Sequence, residues 1–111
     1  MNYYLQMTDE AADELFAAAR WYAETSQSLN VALMWYDGFL DELDRLVDDP
    51  LRGVLAPENH LFDFDLREIH YGSGRRPTHR AIYRVVGQRI EILTIRHLAQ
   101  QSFGPEDIGN H

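Results

Sequence analysis

The chain has 111 residues, 45% hydrophobic and 12% aromatic, a length and composition that suit one domain with a real core. It has no cysteine, which excludes disulfides and thiolate metal sites. No apolar run approaches the roughly 18 residues of a membrane-spanning helix, and MNYYLQMTDE lacks the basic start and apolar core of a signal peptide, so a cytoplasmic protein without membrane contact is expected.

Tyr3, Leu5 and Met7 alternate with Asn2, Tyr4 and Gln6, the period of a short strand. Thr8 then suits a helix N-cap, with Asp9 and Glu10 placed at the positive end of the helix dipole. A first helix is predicted over Asp9 to Glu24, burying Ala12, Leu15, Phe16, Ala19, Tyr22 and Ala23. Thr25 to Ser28 is a polar break. A second helix is predicted over Ser28 to Asp48, with Leu29, Ala32, Leu33, Tyr36, Leu40, Leu43 and Val47 on one stripe. Pro50 ends it. Trp21 and Trp35 fall beside these stripes. Each is either packed at the edge of the core or an anchor for a partner.

Leu51 to Asn59 reads as a loop, Phe64 to Tyr71 as a strand, and Gly72 to Pro77 as a turn-rich loop carrying Arg75 and Arg76. Thr78–Val86 and Arg89–Arg96 are rich in Ile, Val, Tyr and Thr and are joined by Gly87-Gln88, the pattern of an antiparallel hairpin. Gln100 to His111, with Gly104, Pro105 and Gly109, reads as a flexible tail of a single domain spanning residues 1–111. The predicted architecture is α+β in the order β-α-α-β-β-β. A helical hairpin packs on one face of a small, mainly antiparallel sheet and leaves the other face partly open.

Charge is unevenly placed. Residues 1–65 carry a net −11 and residues 66–111 a net +3, for a total of −8, and every fixed cation is Arg. Strand parity puts Ala81, Tyr83 and Val85 on the helix side of the sheet and Arg80, Ile82 and Arg84 on the other. Arg96 joins them if Leu93 and Ile95 pack under the helices, and His97 reaches the strand end. Such a face suits carboxylate or phosphate, and Arg67, Arg75, Arg76, Arg80, Arg84 and Arg96 are candidate binding residues with Trp21 and Trp35. The competing reading pairs each arginine with an internal acid such as Glu68 or Glu91. His70, His79 and His97 lack metal-ligand spacing, and there is no GxSxG, P-loop or GxGxxG, so no metal or other cofactor is expected.

The ordered combination of Pro50-Leu51-Arg52-Gly53, LREI, HRAIYRV and IEILTIRH resembles the RelE/ParE superfamily of type II toxin–antitoxin modules, in particular its ParE-like plasmid stabilization branch. The resemblance covers about Met7 to His97. It implies a cognate antitoxin that wraps the toxin and a cellular target: DNA gyrase for the ParE branch, the ribosome for the RelE branch, whose members cut mRNA. For the nuclease branch it implies Arg80, Arg96 and His97 as catalytic candidates. No tyrosine follows Tyr83 and LAQQSFGPED after His97 is not basic, which departs from the nuclease pattern. A net charge of −8 also opposes direct binding to nucleic acid. The ParE-like, non-enzymatic reading is therefore favoured; a toxin fold that has lost toxicity but still binds an antitoxin-like partner is a further alternative.

Overall fold

The computed structural model describes residues 2–100 and 102–108. Strand β1 (Tyr4–Met7) leads into α1 (Asp9–Ser26) and α2 (Leu29–Asp44), the latter extended by a 3-10 turn over Arg45–Val47. Then come β2 (Val54–Leu55), a 3-10 segment (Pro57–Leu61), β3 (Arg67–Tyr71), β4 (His79–Val86), β5 (Arg89–His97) and a last 3-10 turn (Pro105–Asp107). The five strands form one mixed sheet in the order β1-β5-β4-β3-β2. Only the β1–β5 pair is parallel, because the helical hairpin carries the chain across the sheet before β5 takes its place beside β1.

The local signals act as their chemistry dictates. Thr8 caps α1, its Oγ accepting from the Ala11 N–H at 3.1 Å. Ser28 caps α2 in the same way through Val31. Gly87 opens the β4–β5 turn at φ +62°, which a side chain would resist.

Between β4 and β5 the register jumps from Ile82↔Thr94 to Tyr83↔Ile92, so Leu93 is bulged out of the ladder. The bulge resets parity. Ile90, Ile92 and Ile95 all reach the helix-side core, while Leu93 points to the far side. Helix α1 holds the bulge: the Thr8 Oγ donates to the Leu93 carbonyl at 3.0 Å. Glu14 Oε1 accepts from the Thr94 hydroxyl at 2.8 Å and the Ile95 N–H at 3.1 Å.

The buried face of the helices differs from the predicted stripe by about one residue. Ala11 and Leu15 of α1, and Ala32, Trp35, Phe39, Leu43 and the following Leu46, are buried; Phe16, Leu29 and Leu33 are exposed. Trp35 and Phe39 displace Leu33 and Leu40 as the anchors because the larger rings bury more area against Tyr22, Tyr71 and His79.

The far face of the sheet is not open. Ile82 and Leu93 are capped by Ala56, Leu66 and Phe103, with Phe62, Phe64 and Ile108 around them, as a second small core. The stretch expected to be a loose tail therefore packs across the sheet between residues 102 and 108, with Phe103 fully buried. The rest of it, Gln101 and residues 109–111, lies outside the described residues. Leu51 to Asn59, expected to be a loop, supplies the edge strand β2 and the start of the 3-10 segment that covers this face.

Candidate binding surfaces

On the far side of the sheet His70, Arg80 and Arg96 lie side by side across β3, β4 and β5, and Arg84 faces Glu91. The expected clustering of Arg80, Arg84 and Arg96 on one face is present, but the arginines are engaged internally. Arg80, only 8% exposed, holds Glu58 through two bonds of 2.9 and 2.6 Å and Glu68 through one of 2.8 Å. Placing Arg80 on an open face is thus incorrect. The apolar cap on Ile82 brings Glu58 over it, and burial makes the charge demand partners.

The carboxyl of Glu58 is held down to about 2, chiefly by the Arg80 hydrogen bonds against the opposing effect of burial. Those same bonds, Glu58 first, push Arg80 further toward its charged form. The Phe103 N–H also donates to Glu58 Oε2 at 2.9 Å, so one carboxylate locks the C-terminal segment, the 3-10 segment and β4 together. Glu68 Oε2 lies 2.6 Å from His70 Nε2.

The other arginines follow suit. Arg84 pairs with Glu91 at 2.8 Å and lies over the Phe64 ring. Arg96 lies over the Phe103 ring, donates to the Thr94 hydroxyl at 3.2 Å and stands 3.9 Å from Asp107. Arg67 turns to the helix side and donates to the Gly53 carbonyl at 2.8 Å. The exposed pair is Arg75 and Arg76, in the β3–β4 loop. The pairing of arginines with Glu68 and Glu91 was legible in the sequence. Glu58, which takes the largest part, was not, because it sits in a stretch that reads as a loop.

The two tryptophans separate. Trp35 is 1% exposed and belongs to the core, so it is no surface anchor; its ring packs edge-on against Phe39 and His79. Trp21 is 58% exposed at the C-terminal half of α1. His97 also falls away from the arginines. It pairs with His79, whose ring packs on Trp35 and Tyr22 on the helix side, and the two imidazole centroids are 5.1 Å apart. Burial, with a smaller contribution from His97, lowers the His79 pKa to about 4, so it is neutral at neutral pH.

A second exposed feature is apolar. The outer groove between α1 and α2 is lined by Phe16, Ala19, Ala23, Leu29, Leu33 and Tyr36, with Arg20 at its side. These are largely the predicted stripe residues that the core did not take. No helix of the described residues is long and apolar enough to cross a membrane.

A helical hairpin laid on a small mixed sheet, with paired arginines on the far face and an apolar groove on the outside, makes this an α+β domain. The chain belongs to the ParE toxin family of type II toxin–antitoxin systems (parDE), whose family model matches residues 5–102. A solved structure described as the chromosomal ParDE toxin–antitoxin system from P. aeruginosa superposes with a TM-score of 0.67. The match is at 23% identity and covers 86% of this chain and 95% of that one, a likeness of fold. No curated protein matches the chain.

Proposed function

We propose that this ParE-family protein acts by binding a cellular target, DNA gyrase, and is neutralised by a cognate antitoxin. The observation that carries the non-enzymatic reading is the division of the nuclease candidates. Arg80 and Arg96 lie beneath the cap on the far side of the sheet, while His97 packs edge-on against His79 on the helix side. A general acid–base catalyst must reach the atom whose charge the cations stabilise, and here the sheet stands between them. The Arg80 charge is already matched by Glu58 and Glu68, and Arg96 stands 3.9 Å from Asp107.

The apolar groove of the helical hairpin is the surface we assign to the antitoxin. It displays Phe16, Leu29 and Leu33 in an isolated chain, an arrangement that a partner helix with apolar residues at i, i+3 and i+4 would cover. The exposed Arg75–Arg76 loop is left for the target. The test is gyrase supercoiling with the purified protein, expected to fall in a dose-dependent way and to recover on adding the antitoxin. Full gyrase activity at large protein excess would remove the target. Cuts in mRNA in a translating extract would replace the proposal with the RelE-like endoribonuclease. Antitoxin binding with neither effect would identify a relative that has lost its toxicity.

A further inference from the structure

Between the C-terminal half of α1 and the paired ends of β4 and β5 lies a depression of about 380 Å³ lined by Trp21, Tyr22, Thr78, His79 and His97. Its walls are rings set at steep angles to one another. Trp21 and Tyr22 meet at 78° with centroids 5.1 Å apart, and His79 and His97 at 75° with centroids 5.1 Å apart. Tyr22 and His79 close the gap between the two pairs at 6.2 Å. Trp35 forms a rigid floor behind His79, 5.0 Å from it.

Thr78 Oγ lies 2.8 Å from His79 Nδ1, and the Ala99 N–H donates to His97 Nδ1 at 3.1 Å. Both rings are therefore oriented before any guest arrives. The core does not account for the arrangement, since Trp21 projects into solvent and its removal would leave Trp35 and Tyr22 in place.

The faces of Trp and Tyr rings beside a small hollow attract cations, and His79, neutral at neutral pH, adds a polarisable wall without opposing charge. The surroundings agree in sign. The adjoining depression, which shares Trp21, is lined by Asp13, Glu24 and Arg20, the last paired with Glu24 at 3.6 Å, and so keeps a net negative sign, and residues 1–65 carry a net −11. A guanidinium is planar and weakly hydrated, so it can stack on Trp21 while its edges reach toward these carboxylates.

We propose that Trp21, Tyr22, His79 and His97 form an aromatic cage that receives an arginine side chain of a partner protein. The cage lies on the sheet-end side of α1, apart from the groove between the helices. It is independent of the target assigned above, because it is defined by its chemistry toward a cation.

The experiment is an NMR titration of the full chain with N-acetyl-arginine amide and, separately, with N-acetyl-citrulline amide, its neutral isostere. The expected result is saturable shifts of the Trp21 indole and of the His79 and His97 rings with the arginine compound, with affinity about five-fold or more above that of the citrulline compound. Trp21→Ala should abolish the arginine response while leaving the dispersed spectrum of the fold intact. Equal affinity for both compounds would overturn the proposal by making the site merely apolar. Persistence of the response in Trp21→Ala would overturn it by assigning the cation to Asp13 and Glu24 alone. Absence of any shift in these three residues would overturn it outright.

Discussion

Glu58→Gln tests how the far face is held. The substitution keeps the shape of the side chain and removes its charge, leaving the buried Arg80 with Glu68 alone. Glu58 titrates at about 2 in the folded chain against an ordinary 4.5, a difference that corresponds to about 3 kcal/mol of stability at neutral pH. Breaking a buried pair by removing one partner costs about 3–5 kcal/mol in general, so two independent routes agree. For a domain of this size the loss lowers the melting temperature by about 10–20 °C.

The sign follows from the lowered pKa. The contribution is complete above the unfolded value of 4.5 and disappears as pH falls through about 2. Urea unfolding, followed by tryptophan fluorescence, should therefore separate wild type from Glu58→Gln strongly at neutral pH and hardly at all near pH 2. A loss under about 1 kcal/mol at neutral pH would refute the reasoning, as would a loss that persists undiminished in acid. Replacing Arg80 by Met together with Glu58→Gln and Glu68→Gln should recover most of the stability, since no uncompensated charge is then buried.

The tryptophans should behave oppositely in the same unfolding assay: Trp35→Ala costs about 3–5 kcal/mol and Trp21→Ala stays within about 0.5 kcal/mol. Tyr83→Phe should cost about 1–3 kcal/mol, because the buried hydroxyl accepts from the Gly53 N–H at 3.1 Å and donates to the Pro50 carbonyl at 2.8 Å. In this tight corner Gly53→Ala should be worse, its added Cβ falling 2.6 Å from the Tyr83 hydroxyl and 2.7 Å from the Glu68 carbonyl. His79 gives a separate acid transition. Its folded pKa of about 4 lies below the ordinary 6.5, so stability is complete above 6.5 and falls by about 3 kcal/mol as pH drops to about 4. His79→Leu should remove that part of the pH dependence, which urea midpoints measured from neutral pH down to about pH 4 would reveal.

The helical hairpin and the β4–β5 pair were legible because their signals are local: Thr8 and Ser28 as caps, Gly87 at positive φ, and alternation along each strand. The cover on the far face was not. Phe103 lies in a stretch that reads as a polar tail, Phe62 falls between the predicted loop and strand, and Phe64 reads as the start of a strand that in fact begins at Arg67; only the fold brings them onto Ile82 and Leu93. Parity alone also failed at Leu93, where one extra residue turns Ile95 back to the helices. In the helices the apolar positions form more than one face. Periodicity cannot say which face the sheet takes, and the choice of Trp35 and Phe39 over Leu29 and Leu33 came from tertiary packing. The arginine cluster was visible as a set of like residues on one side of a strand. Its neutralisation depends on Glu58, 22 residues before Arg80.

The action proposed above is surface binding to gyrase, with the arginines of the sheet serving the fold. The most direct measurement is the accumulation of covalent gyrase–DNA complexes as purified protein is titrated into gyrase and supercoiled DNA, with mRNA integrity followed in a parallel translating extract. Trapped, cleaved DNA in proportion to protein, with intact mRNA, is the expected result. Undamaged DNA together with cut mRNA would contradict it.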